Sequence, residues 1–196
     1  IRAVYDYLCQ NVTYDYEHLD DDSYTLKQTP YAALINGTSV CQGYATLFYR
    51  MMLELGIDCR LITGEAGSYV EFFEEYEAHG WNIVQLDGVY YNVDATWDSG
   101  EEMYSWFLRT DESFYGNVSA RHVRYSQYAT EEFYAQYPMA SEDYQSEVMS
   151  GTLGENDKLT WMLKDGILTI TGTGAMPDFS AMETPWYGAR NQIVEV

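Results

Sequence analysis

The 196 residues carry 31 aspartates and glutamates against 10 lysines and arginines, a net charge of -21. Such a chain repels phosphate backbones and anionic lipid surfaces, which argues against nucleic acid as a partner and against membrane insertion. No apolar run reaches the ~18 residues of a membrane-spanning helix. With 46% hydrophobic and 21% charged residues the composition is that of a folded protein, and the length allows one full domain plus a fragment of another.

Ile1, Val4, Tyr5, Leu8 and Val12 recur at helical spacing and predict an amphipathic helix over 1–13. Ile1 replaces an initiator Met and already lies within that pattern, so the chain reads as a trimmed piece of a longer one, without a signal peptide of its own. Residues 14–29 read as an acidic loop around Asp20-Asp21-Asp22. A short helix opens at Thr29-Pro30 and ends by Asn36-Gly37. Ser39-Val40-Cys41-Gln42 has the pattern of a capping box, with Ser39 as cap. The helix that follows presents Ala45, Phe48, Met52 and Leu55 on one face and stops at Gly56. A strand is expected from Cys59 to Thr63, a strand end and a loop over the acidic, glycine-bearing Gly64 to Ala78, and two strands, Trp81–Leu86 and Val89–Asp94, around the two-residue hairpin turn Asp87-Gly88. Residues 100–148 read as mixed helices and loops. From about Ser150 the composition shifts to a β-rich tail with a second hairpin turn at Asp165-Gly166.

Three cysteines, Cys9, Cys41 and Cys59, are too few for a disulfide scaffold and lack the paired spacing of a zinc site. Cys9 and Cys59 read as buried apolar residues, with a Cys9–Cys59 disulfide as the alternative. Cys41 differs. It falls at a helix start, where unpaired N–H groups and the helix dipole favour a thiolate. The hairpin supplies its partners: with Asp87-Gly88 as the turn, Trp81 faces Asp94 across the ladder. His79 and Asp94 are then diagonal neighbours on one face, about 7–8 Å apart at the backbone. A carboxylate so placed can orient an imidazole and support its cationic form. His18 reads as solvated and His122 as structural. The acidic runs 20–22 and 74–77 read as solvated faces, because they lack the alternating ligands and glycine of a calcium loop.

The segments Gly37-Thr38-Ser39-Val40-Cys41-Gln42-Gly43-Tyr44-Ala45, Gly56-Ile57-Asp58-Cys59-Arg60, His79-Gly80-Trp81-Asn82 and Asp87 to Asp98 resemble the transglutaminase-like core, in the branch of the bacterial relatives of kyphoscoliosis peptidase. The resemblance covers roughly 1–145. It implies an α+β papain-like fold, with the nucleophile's helix packed on an antiparallel sheet, and a Cys41–His79–Asp94 triad that needs no cofactor. His79-Gly80-Trp81 departs from the His-Ala-Trp of many relatives. The backbone N–H of Cys41 is the first expected oxyanion donor. Tyr14, Tyr16, Tyr31 and Gln42 are candidates for the second or for support, and Gly43, Tyr44 and Trp81 for the substrate cleft. The tail, Leu159 to Trp186, resembles the lead-in to BspA-like leucine-rich repeats of bacterial surface proteins, which implies a secreted or cell-surface parent. The expected organisation is a catalytic domain over 1–148 and a partial β-rich module over 149–196.

The expected chemistry is attack of Cys41 on an amide of a protein or peptide, cell-wall peptide included, through a thioester. Water as acceptor gives a peptidase or amidase, which is favoured; a lysine amine gives a cross-link. The alternative is a non-catalytic surface-binding or adhesion module, to which the aromatic surface and the tail would contribute.

Overall fold

The computed structural model describes residues 1–70, 73–100, 104–115, 120–145, 148–153, 158–164, 166–180, 183–193 and 196, with backbone alone at 68–70, 73–75 and 191–192. The chain divides into two units, Ile1–Tyr144 and Gln145–Val196.

The first unit opens with helix α1, Arg2–Asn11, which buries Val4, Tyr5, Leu8 and Cys9 along one stripe. Strand β1, Thr13–Tyr14, follows and pairs in parallel with β2, Thr38–Ser39. Between them the predicted loop is held by a buried cation: the Lys27 ammonium donates to the carbonyls of His18, Leu19 and Asp21 at 2.6–2.9 Å. His18 is therefore not freely solvated; its ring bonds Asp15 and stacks on Tyr24. Asp20, Asp21 and Asp22 are exposed. The short helix after Pro30 is a π-helical turn, Ala32–Asn36, closed by Gly37 at φ 67°.

Helix α2, Cys41–Glu54, buries Ala45, Leu47, Phe48 and Met52. Leu55, predicted on that face, lies past the helix end and is exposed, and Gly56 turns the chain at φ 72°. Strands β3, Cys59–Val70, and β4, Phe73–Leu86, form one long antiparallel hairpin. This corrects the loop part of the strand end and loop expected over Gly64–Ala78. Tyr69, Val70, Phe73 and Tyr76 are strong strand formers that the intervening glutamates concealed. Strand β5, Val89–Val93, joins β4 through Asp87-Gly88 with Leu86 opposite Val89, and both turn residues have positive φ, as a type I′ turn requires.

Beyond β5 come α3, Asp111–Tyr115, β6, Ala120–Arg124, and α4, Glu131–Gln136, whose first turn is capped by the Thr130 side chain. Strand β6 was not expected. It pairs antiparallel with Gly64–Ser68 of β3, giving a sheet of order β5-β4-β3-β6. Gly64 permits that approach: a Cβ there would sit 2.1 Å from the Val123 carbonyl and 2.8 Å from the Trp81 ring. One apolar cluster joins α1 and α2 to Cys59, Val84 and Val93. A second gathers Ile62, Trp81, Ile83, Trp106, Phe114 and Phe133.

In the second unit β7, Met149–Leu153, β8, Leu159–Lys164, and β9, Ile167–Gly172, form an antiparallel sheet around Trp161, Leu163 and Leu168. Lys164 faces Ile167, as the predicted two-residue turn requires; Asp165 of that turn lies outside the described residues. Among the described residues no helix is long and apolar enough to cross a membrane.

Candidate active site

Cys41 is the first residue of α2, and the β1–β2 pair delivers it. Tyr14 lies opposite Ser39, the Asp15 N–H donates to the Ser39 carbonyl at 3.1 Å, and the Val40 N–H donates to the Lys27 carbonyl at 3.0 Å. The capping box predicted from sequence does not form. Val40 is the cap residue and caps with no side chain. The fully buried Ser39 hydroxyl donates instead to the Lys27 carbonyl. Cys41 is a free, half-buried thiol at the N-terminal end of α2, where the helix dipole favours negative charge, and the Gly43 N–H closes the first turn on the Val40 carbonyl at 2.9 Å.

His79 comes from the middle of β4. Its Nε2 lies 2.7 Å from Asp94 Oδ2, and Cys41 is near enough to favour charge on the ring. Burial opposes charge on the ring, but the Asp94 carboxylate, the Asp94 hydrogen bond and Cys41 together outweigh it and push the His79 pKa up to about 10. Asp94, one residue past β5, is 1% exposed. Burial would raise its pKa, yet the His79 charge and the bonds from His122 and His79 hold it well below the ordinary carboxylate range. Its Oδ1 accepts the N–H groups of Thr96 and Trp97 at 2.9 and 3.4 Å. The structure therefore hydrogen-bonds His79 to Asp94 and brings Cys41 close enough to favour the charged ring.

A fourth residue joins it. His122 Nε2 lies 2.8 Å from the same Asp94 Oδ2. Sequence reasoning treated His122 as structural, and nothing local in Arg121-His122-Val123-Arg124 marks a link to Asp94, 28 residues earlier. Two imidazoles and a carboxylate within 4.8 Å could in principle hold a metal ion. Separations of 2.7 and 2.8 Å are, however, direct hydrogen bonds, and a cation would have to replace both.

The other cysteines are poor nucleophiles. Cys9 and Cys59 are free buried thiols rather than a disulfide. Burial raises both, Cys59 to about 12, and Cys9 donates weakly to the Ala95 carbonyl.

A cleft of about 750 Å³ opens over His79 and is lined by Tyr14, Tyr16, Leu19, Glu77, Thr96 and Trp97 among others. Tyr14 is half-buried, and its hydroxyl is raised by burial and by the nearby Cys41 and Glu77, so it stays a proton donor. Tyr16 is 77% exposed and packs on Tyr14. Tyr31 is exposed on the π-helical turn and is not among the cleft residues. The Gln42 side chain is exposed at the start of α2. The three residues expected to line the cleft lie elsewhere. Gly43 is buried against Ser39 and Thr29, where a Cβ would meet atoms at 1.8–2.9 Å. Tyr44 is a core residue whose hydroxyl donates to the Val12 carbonyl and bonds Ser99. Trp81 is buried and stacks near His79 with its Nε1–H on Asn92. The apolar and aromatic signals at these positions reported packing. Trp97, inside a motif already singled out, is the cleft residue that was missed: its ring lies 5.7 Å from that of His79.

A cysteine at a helix start, facing a histidine on an antiparallel sheet, defines a papain-like α+β core, and the fold is transglutaminase-like. Residues 1–95 match the family described as the Transglutaminase-like superfamily. The kyphoscoliosis peptidases of Mus musculus and Homo sapiens are 33% and 32% identical to this chain over 106 residues, covering 51% of it and 16% of each relative. The chain thus spans about one sixth of the length of those relatives. A solved structure described as "Crystal structure of a TGase" aligns at TM-score 0.36 and 22% identity, over 48% of this chain and 24% of that one.

Proposed function

We propose that this chain is a cysteine-dependent acyl-transfer enzyme that cleaves amide bonds of proteins or peptides. One observation carries the reading: His79 Nε2 lies 2.7 Å from the buried Asp94 carboxylate, and Asp94 together with Cys41 pushes the His79 pKa up to about 10. With the His79 imidazolium beside it, Cys41 attacks the carbonyl carbon of the amide as its thiolate. The oxyanion is received by the Cys41 backbone N–H and the Tyr14 hydroxyl. As the C–N bond breaks, His79 gives its proton to the leaving amine and a Cys41 thioester remains. Water, deprotonated by His79, then attacks the thioester, releasing the acid and restoring the thiol. Hydrolysis is favoured over cross-linking because the similar proteins are named peptidases. The tail supports a secreted or cell-surface parent that continues into leucine-rich repeats.

The test is a panel of peptide and cell-wall amides incubated with and without a lysine-like amine and read by mass spectrometry. Cleavage that Cys41→Ala abolishes is expected, with acid as the main product. Amine adducts in place of acid would reassign the enzyme as a transamidase. Sluggish iodoacetamide labelling of all three cysteines alike would favour the binding-module alternative and overturn the proposal.

A further inference from the structure

We infer that His122 is a positioning residue of this centre: a neutral second imidazole that clamps the Asp94 carboxylate and limits how tightly Asp94 holds the His79 proton. The inference rests on the acyl-transfer reading above and adds a residue from β6, beyond residues 1–95 that match the family.

The argument begins with the lone pairs of Asp94. A carboxylate 1% exposed needs a donor for each of them. Thr96 and Trp97 supply two through backbone N–H groups to Oδ1, and His79 supplies one to Oδ2. His122 supplies the fourth, also to Oδ2. Two rings on one oxygen, with centroids 5.4 Å apart, would repel if both were charged. The surroundings decide which one is. His79 has Cys41 favouring its charged form and opens on the cleft, whereas the His122 side chain is fully buried among Trp97, Phe114, Trp106 and Trp81, with ring centroids 4.4–5.2 Å away. His122 Nδ1 has no hydrogen-bond partner among the described residues. A proton there would be a buried charge without an acceptor. His122 is therefore the neutral tautomer with its proton on Nε2, donating to Asp94. Burial and the His79 charge both lower its pKa, in keeping with that tautomer.

The other titratable groups around the cluster do not change this assignment. Asp98 accepts from the Tyr5 hydroxyl and from the backbone of Ser105 and Trp106. Cys9 and Tyr14 keep their protons, and Glu77 acts on the cleft side near Tyr14. On β6 itself, Arg124 is paired with Asp111 and Asn92.

A neutral donor on Oδ2 fixes the carboxylate plane without adding charge and competes with His79 for its electron density. Removing that donor concentrates the negative charge on the His79 bond. The His79 proton is then held more tightly and is given up less readily to the leaving amine.

The test follows iodoacetamide alkylation of Cys41 by mass spectrometry from pH 4 to pH 11 in the full chain, for wild type, His122→Phe, His122→Gln and Asp94→Asn. His122→Phe keeps the aromatic packing and loses the donor. The limb set by His79 deprotonation is expected to move up by about one pH unit. His122→Gln, whose amide N–H reaches about as far as Nε2, is expected to restore the wild-type limb, which a purely structural role would not require. A folded His122→Phe protein with an unshifted limb overturns the inference while leaving the Cys41–His79–Asp94 reading intact. A wild-type profile that Asp94→Asn does not alter sinks that reading instead. Should His122→Phe not fold, imidazole nitrogen NMR of the wild type decides. A His122 with its proton on Nε2 and no titration between pH 5 and 9 is expected. A proton on Nδ1, or a titration inside that range, overturns the inference.

Discussion

Gly43→Ala tests how the start of α2 is built. Within a helix this change ordinarily stabilises, by up to ~1 kcal/mol. Here the new Cβ would sit 1.8 Å from Ser39 Oγ, 2.9 Å from Ser39 Cβ and 2.9 Å from the Thr29 carbonyl oxygen. Ser39 cannot turn aside freely, because its buried hydroxyl would lose the Lys27 carbonyl it donates to. Overpacking costs ~1–3 kcal/mol and a stranded buried polar group about as much. Less the helical gain, the net loss is ~1–5 kcal/mol. Urea unfolding should show it as a midpoint lowered by ~0.5–2.5 M at an m-value of ~2 kcal/mol/M, with the slope unchanged. Ser39→Ala in the same chain removes the 1.8 Å contact but neither of those at 2.9 Å, so the double variant should recover part of the loss and no more. Because Ser39 is two residues from Cys41, Cys41 alkylation should also slow in the single variant. A Gly43→Ala protein as stable as wild type would refute the account of how this helix start is held.

Gly80→Ala should behave in the opposite way. Its Cβ would meet the Ile62 carbonyl oxygen at 3.8 Å and Gln42 Cα at 4.0 Å, both ordinary contacts, so stability should stay within ~1 kcal/mol of wild type, with Tm and Cys41 alkylation little changed. The His79 proton should leave a mark on stability against pH. The folded ring titrates at about 10 and the ordinary imidazole at 6.5, so below pH 6.5 both states are protonated and the stabilisation is full. Between those values the folded state binds more protons, and stability falls as pH rises, by at most ~1.4 kcal/mol per pH unit from this group. Urea titrations at pH 7, 8 and 9 should show that fall in wild type and a flatter trend in His79→Gln; equal slopes would mean that the ring is not held in its charged form.

What could be read from the sequence was local. Asp87-Gly88 alone set the β4–β5 register, and that register placed His79 and Asp94 on one face before any packing was known. Gly56 as the end of α2 and Gly37 as the close of the preceding turn followed from backbone conformation in the same way. The errors came where a distant partner won. Ser39 looked like a helix cap because its local pattern allowed it, but β1 and Lys27 claimed it for tertiary bonds. Gly64–Ala78 looked like a strand end running into a loop because its glutamates masked strand formers, whose pairing is fixed only by the opposite arm of the hairpin. Tyr44 and Trp81 lie inside motifs that surround a reactive cysteine and histidine, yet both are core residues, since a large aromatic beside a site more often supports it from below than faces the ligand.

His122 is the sharpest case of this limit, and the chemistry explains why. The need for it is visible only once Asp94 is known to be buried and its donors are counted. Two are backbone groups of its own turn, and one is the hairpin neighbour that sequence could supply. A carboxylate so deep still lacked a donor, and the remaining one had to come from an element packed across the sheet. Gly64 makes that possible, because any side chain there would hold β6 away from β3 and carry His122 out of reach. The glycine at 64 and the histidine at 122 therefore form one device, a bare strand position that lets a second imidazole come within hydrogen-bonding distance of the carboxylate behind the first.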